Sequence, residues 1–307
     1  MRLLVVGAGA TGGYFGGRLA AAGRDVTFLI RPKRAAEIAR NGFVIVDPKG
    51  ETRIEPKIVT ADALKGPYDL VLISVKAYSL PVAIEDIAPA IGPNTLILPV
   101  LNGLKHFDLL SQRFGPARVI GSFCKINARL DDHGRIVQMS PLHDLIYGEY
   151  DGSRTPRMEA IDAFFKGAGF DARLSDDVGR ELWEKWVLLA SLGAANCLMR
   201  GTIGDIVARP GGRAFIEALL DEVTAVATAH GKAPDPAYLD ATRKLLTTPD
   251  SPMTASMYRD LTKGLPVEND EILDDLLARA AAVGVKTPYL HLAAINLGIY
   301  AARRLAE

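Results

Sequence analysis

Four runs in the first half of the chain share one pattern. RLLVV (2–6), DVTFLIR (25–31), DLVLISVKA (69–77) and TLILPVLNG (95–103) are near-continuous apolar stretches that end in or just before small, polar or glycine positions. A strand with one wet face alternates apolar and polar residues, whereas a strand covered on both faces does not. These runs therefore predict buried strands of a parallel sheet. Helical segments such as RAAEIAR (34–40) and AIEDIAPAI (83–91) lie between them, and strand–helix alternation predicts a doubly wound α/β arrangement. Later short strands are expected within RVIGSFCKINARL (118–130), GRIVQMS (134–140) and DLIYGEY (144–150).

The pattern changes near Ser175. DDVGRELWEKWVLLASLGAANCLM (176–199), GRAFIEALLDEVTAVATAHG (212–231) and NDEILDDLLARAAAVG (269–284) are long and helical, and the last two end at glycine. A domain junction is expected at Gly169–Ser175, after the helix MEAIDAFFKGAG (158–169). Residues 1–172 form one expected domain and residues 173–307 an all-α second, with a cleft between them.

The first strand runs into a turn with Gly7, Gly9 and Gly12 in GxGxxG spacing and then into a small-residue helix. The first glycine allows the tight turn, the second lets backbone approach a pyrophosphate, and the third permits close helix–strand packing. The helix N-terminus adds unpaired N–H groups and a partial positive charge. A dinucleotide site is the expected outcome. The end of the next strand selects among dinucleotides. An acidic residue there would take a ribose 2′-hydroxyl, but this chain has Arg31, then Lys33 and Arg34. Such a cluster suits a 2′-phosphate, which points to NADPH/NADP+.

Composition narrows the partners. Lys+Arg and Asp+Glu balance at 36 each, which argues against a broad nucleic-acid surface. The histidines at 106, 133, 143, 230 and 291 and the two cysteines, Cys124 and Cys197, show no metal-ligand spacing, so no metal is expected. No uninterrupted run of 18 apolar residues exists, so no membrane span is expected, and a cytoplasmic protein is the default. A homodimer is left open.

Three later residues stand out. Lys76 and Asn102 each close a predicted strand at the carboxyl edge of the sheet, where ligands of such folds sit. Lys185 lies in an apolar helix and should be largely buried, where desolvation would lower its pKa toward that of an efficient proton donor. A lysine stretching to solvent is the competing reading.

GAGATGG (7–13), Arg31, SVKA with Lys76, LNG with Asn102, LWEKW with Lys185, and SMYRDLTKGLPVE with Ser256 and Glu268 follow one another in an order that resembles ketopantoate reductases (2-dehydropantoate 2-reductases) over nearly the whole chain. The resemblance implies a Rossmann-type N-terminal domain and a helical C-terminal domain like that of 6-phosphogluconate dehydrogenase. It also implies NADPH-dependent reduction of a 2-oxo acid to (R)-pantoate, on the route to pantothenate and coenzyme A. Gly7, Ala8, Gly9, Ala10, Thr11, Gly12, Arg31, Lys76 and Asn102 would hold the cofactor. Lys185 would protonate the carbonyl oxygen, and Glu268 would engage the substrate hydroxyl. Ser256 would bind the carboxylate, with Lys76, Asn102 and Asn196 completing the substrate set. The chain departs from the family at Leu189 and Gly193, where asparagines are usual. It departs again at ENDEILDD (268–275), where E-I-D and a later N-G are usual. Lost amides mean lost hydrogen bonds, so a related, more apolar 2-oxo acid, or a catalytically idle NADP(H)-binding paralogue, is the alternative.

Overall fold

A computed structural model describes residues 1–306. Close packing divides them into two compact units: Met1–Leu101 with His106–Val178, and Asn102–Lys105 with the chain from Gly179 onward.

In the first unit the elements run β1 (Arg2–Val6), α1 (Ala10–Ala21), β2 (Asp25–Leu29), α2 (Pro32–Asn41), β3 (Phe43–Asp47), β4 (Gly50–Ile54), β5 (Lys57–Val59), β6 (Leu70–Ile73), α3 (Leu80–Asp86), β7 (Leu96–Pro99), α4 (Lys105–Phe114), β8 (Gly121–Leu130), β9 (Ile136–Gly148), α5 (Pro156–Phe165) and β10 (Asp171–Leu174). One sheet is wholly parallel in the order β5-β2-β1-β6-β7. This is the doubly wound order, reversing beside β1, where such sheets bind ligands. Leu3, Leu4, Val5 and all of Leu70–Ile73 are fully inaccessible, as the unbroken apolar runs predicted for strands covered on both faces.

A second sheet, ordered β10-β9-β3-β4 with β8 on β9, was not foreseen in this form. The two short strands expected at 134–140 and 144–150 are one strand, β9, of 13 residues. Its pairing with β8 shifts register between Ile126 and Ala128. Pro141 lies in the four-residue stretch of β9 between the partners Gln138 and His143, so the residue that cannot donate to a ladder sits in the irregularity. The hairpin of β3 and β4 was missed because Gly50–Ile54 is too polar to show a strand pattern. Helix α1 lies between the two sheets. A Cβ on Gly16 would strike Phe28 and Val5 of the first sheet, whereas one on Gly13 or Gly17 would strike Ile136, Ile45 or Phe43 of the second. The small-residue composition of α1 is thus a packing requirement on two sides.

The second unit is helical: α6 (Val178–Met199), α7 (Ile203–Val207), α8 (Gly212–Ala229), α9 (Pro236–Leu246), α10 (Ser256–Thr262), α11 (Asp275–Ala282) and α12 (Pro288–Ala306). A π-helical turn, Asp270–Asp274, runs directly into α11. Among the described residues, no helix is long and apolar enough to cross a membrane. Cys124 and Cys197 are buried thiols, and burial pushes the Cys197 thiol up to about 12.

Candidate functional site

The glycine turn of the first unit divides its work among three residues. Gly7 has φ +94°, a conformation that L side chains rarely adopt, and donates its N–H to the Leu29 carbonyl. A Cβ on Gly12 would lie 1.9 Å from Ser74 Oγ and 2.3 Å from the Gly7 carbonyl, so α1 can pack here only with glycine. Gly9 is different: a Cβ there would meet no atom within 4 Å. Glycine at this position serves nothing in the protein itself, and the open space is what a pyrophosphate approaching backbone requires. Gly9 is also the N-cap of α1, no side chain caps that end, and its first turn carries no acidic residue. The N–H groups of this helix start, with the dipole behind them, therefore suit an anion. The turn fits a bound dinucleotide.

The cationic cluster that follows β2 splits into two roles. Arg34 turns inward. Its Nε donates to the Ala8 carbonyl at 3.0 Å, its Nη2 donates to the Gly134 carbonyl at 2.9 Å, and it pairs with Glu37. It braces the glycine turn. Arg31 stays exposed at the end of β2 and donates to Ser79 Oγ at 3.2 Å. Ser79 belongs to a short 3-10 turn, Ala77–Ser79, capped by the exposed Lys76, whose carbonyl accepts from the Ser79 N–H. Arg31 and the Lys76 loop thus share one hydrogen-bonded edge at the carboxyl ends of the strands.

In the second unit the π turn is the place where the other expected residues come together. Trp186, next to Lys185 and 2% exposed, donates its indole N–H to the Ile272 carbonyl at 3.0 Å. Gly103, next to Asn102, has φ +75°, and a Cβ on it would lie 2.2 Å from the Glu271 carbonyl. Glu268 is four residues before Ile272, whose N–H bonds the Glu268 carbonyl. The segment carrying Lys185 is therefore bonded to one distorted turn, the Asn102–Gly103 backbone approaches it closely and Glu268 immediately precedes it, and such π turns are frequent at functional sites. Lys185 is half-buried, less enclosed than its apolar helix predicted. Burial also separates the acidic residues. Glu268 is only 6% exposed and Glu271 is half-buried, whereas Asp270 and Asp274 are exposed. Burial, then the charges of Asp270 and Glu268, holds the Glu271 carboxyl above its usual range, with Lys105 opposing. Asp274 is raised for the same kinds of reason.

Ser256 opens α10 and is half-buried. The segment before it, residues 251–255, has no regular structure and is strapped onto the α6–α7 corner. Gly204 N–H donates to the Ser251 carbonyl at 2.8 Å, and Ile203 N–H donates to the Met253 carbonyl at 3.2 Å. The Ala255 N–H donates to Asn196 Oδ1 at 2.8 Å. Asn196, wholly buried, uses its Nδ2 to donate to the Gly201 carbonyl at 2.8 Å, so its amide is bonded to backbone at both ends. At Gly193, the position where the resemblance leads one to look for an amide, a Cβ would lie 2.7 Å from Met257 Cε. A thioether methyl covers that site, and Leu189 one turn earlier is half-buried. The strap, the π turn and the inward turn of Arg34 had no visible signal in the sequence. Among the described residues there is no cluster of three or more His, Cys, Asp or Glu able to hold a metal ion.

Two family models match the chain. "Ketopantoate reductase PanE/ApbA" covers residues 3–152, and "Ketopantoate reductase PanE/ApbA C terminal" covers residues 177–297. The chain is 35% identical over 304 residues to the "Uncharacterized oxidoreductase YkpB" of Bacillus subtilis (strain 168), covering 99% of this chain and 100% of that one. It is 29% identical to a 2-dehydropantoate 2-reductase of Mesorhizobium japonicum, covering 94% of each. Among solved structures, a 2-dehydropantoate 2-reductase of Geobacter metallireducens GS-15 superposes with a TM-score of 0.85 at 30% identity, covering 97% of this chain and 99% of that one. A D-mandelate dehydrogenase in a ternary complex with NADH and anilino(oxo)acetate shares the fold at a TM-score of 0.86 and 18% identity, covering 99% of each chain.

Proposed function

The chain belongs to the ketopantoate reductase family, a family of oxidoreductases, and on that premise we propose that it reduces a 2-oxo acid to a 2-hydroxy acid with NADPH. The first candidate substrate is 2-dehydropantoate, giving (R)-pantoate for pantothenate and coenzyme A synthesis in the cytoplasm. The observation that carries this reading is the bonding of the Lys185 helix to the π turn, with the Asn102–Gly103 turn closely packed on it, beside the buried Glu268.

Gly7, Ala8, Gly9, Ala10, Thr11 and Gly12 would hold the pyrophosphate through backbone N–H groups, and Arg31 the 2′-phosphate. An exposed Arg31, with no acidic residue at the end of β2, supports the phosphorylated cofactor. Lys76 and Asn102 would engage the nicotinamide riboside. Bound reduced nicotinamide supplies hydride to a carbonyl carbon. Everything else falls to the protein. Hydride arrival makes the carbonyl oxygen an alkoxide. The Lys185 ammonium stabilises that charge and delivers the proton from Nζ to the oxygen. Ser256 holds the substrate carboxylate by donating its hydroxyl, and Glu268 accepts from a substrate hydroxyl.

The Met257 methyl over Gly193 favours a second reading within the same chemistry, a 2-oxo acid more apolar than 2-dehydropantoate. Following NADPH oxidation against a panel of 2-oxo acids, with Lys185→Ala as control, tests both. Turnover of 2-dehydropantoate above branched and aromatic 2-oxo acids supports the first reading, and the reverse order supports the second. Equal rates with Lys185→Ala would sink the acid role.

A further inference from the structure

We propose that Asn196 is a positioning residue that fixes Ser256 on the face of α6 that carries Lys185. The inference rests on the carboxylate-binding role of Ser256 proposed above.

The residues that grip the strap alternate. Ser251, Met253, Ala255 and Met257 all engage the α6–α7 corner, and of these Ala255 and Met257, on either side of the half-buried Ser256, are buried. Ser256, the first residue of α10, thus sits between two docked neighbours, Ala255 and Met257. Three of the four grips come from backbone or from a hydrocarbon contact. Only the one nearest Ser256 is a side-chain hydrogen bond, from the Ala255 N–H to Asn196 Oδ1. Ser256 is therefore held on both flanks by α6: Ala255 by Asn196 and Met257 by the space above Gly193.

Spacing ties this to the reacting group. Lys185, Leu189 and Gly193 are four residues apart and Asn196 three further on, so all four lie on one helix face. The strap therefore docks, through Asn196 and Gly193, on the face of α6 that bears Lys185. The choice of residue supports a dedicated role. Asparagine is a poor helix former, and a wholly buried amide is costly unless bonded at both ends. An apolar side chain would fill the helix position at no such cost. What it could not do is bond the Gly201 carbonyl and the Ala255 N–H together, joining the end of α6 to the residue before Ser256.

The test uses the full chain with NADPH and the 2-oxo acid turned over best. Asn196→Leu should raise KM for the oxo acid about tenfold, the scale of a displaced hydrogen bond to a carboxylate, with kcat and NADPH affinity within about twofold. In a Ser256→Ala background, which itself raises KM, adding Asn196→Leu should change KM little further, because both act on one contact. Additive effects, or kcat and cofactor affinity falling together with KM, would mean a merely structural amide and overturn the proposal. A normal KM in folded Asn196→Leu, with a raised KM in Ser256→Ala, overturns the positioning alone. An unchanged KM in Ser256→Ala removes the carboxylate role and the inference with it. If Asn196→Leu does not fold, Asn196→Ala decides. It removes both hydrogen bonds without adding bulk, and the same outcomes support or overturn the proposal.

Discussion

The glycine turn of the first unit and the π turn of the second solve different problems with different materials. The glycine turn is made of backbone. Its strand, its turn and its helix are contiguous, and its anion site is the helix start itself. The π turn is braced from two segments remote in sequence, by the Trp186 indole and the close-packed Gly103 backbone, with Glu268 just before it. A backbone site needs only local geometry and tolerates almost any side chain that leaves the backbone bare. A side-chain site needs every supporting segment in place, so its residues fail for remote reasons. The two regions should break differently under mutation.

The largest effect belongs to the second region. Lys185→Ala should lower kcat by about 10²–10⁴-fold, the range for loss of a positioned general acid, with the NADPH dissociation constant unchanged by fluorescence titration. Glycine substitutions sharpen the contrast. Gly103→Ala places a Cβ against the Glu271 carbonyl at a positive φ, and Gly12→Ala places one against Ser74 and the Gly7 carbonyl. Each should cost roughly 2–4 kcal/mol of stability, read as a lowered urea midpoint. Gly9→Ala meets nothing and should leave the midpoint unchanged while weakening NADPH binding about tenfold or more, because the methyl occupies the pyrophosphate's approach. A Gly9→Ala protein that binds NADPH normally would refute the cradle.

Smaller again is Arg31→Ala. Loss of an arginine–phosphate contact should raise KM for NADPH about tenfold and leave that for NADH nearly unchanged. Arg34→Ala makes the useful partner. Its guanidinium braces the Ala8 carbonyl, so it should reduce stability and weaken both cofactors alike. If Arg34→Ala shifted the NADPH/NADH preference as much as Arg31→Ala, the division of the cationic cluster would be wrong.

The same contrast explains what could be read from the chain before its structure. The parallel sheet and the glycine turn were legible because their determinants are consecutive: an unbroken apolar run is a buried strand, and GxGxxG lies within six residues. Lys185 stood out as a lysine within an apolar helix, whereas Glu268 and Ser256 were picked out by resemblance. Nothing local distinguishes Glu268 from Glu271, and only folding buries the first and leaves the second half-exposed. The π turn is invisible because its cause is tertiary: an indole N–H and the Gly103 backbone meet carbonyls of a segment whose composition suggests an ordinary acidic helix. Asn196 was legible as an amide near the lysine, but its backbone partners, five and fifty-nine residues away, were not. Restoring asparagine at Gly193 also looks different in three dimensions, because Met257 must first leave the space that the new side chain would enter.

The smallest effect is electrostatic and belongs to the π turn alone. Glu271 has its folded-state pKa raised, chiefly by burial and then by the charges of Asp270 and Glu268. A raised carboxyl pKa means that the native state holds its proton more tightly than the unfolded state. Stability from this group is therefore full below the unfolded value and falls as pH rises through the folded one. Glu271→Gln removes that loss, so the variant should gain stability over wild type as pH rises above the ordinary carboxyl range. Half-exposure screens the charge and limits the gain at neutral pH to under about 1 kcal/mol. Thermal melts across that rise in pH check it. A flat difference between the two proteins would mean that the π turn tolerates its acidic neighbours without strain. A gain that grows with pH would show that this turn keeps a destabilising carboxylate, as the backbone-built glycine turn, with no acidic residue in the first turn of its helix, does not.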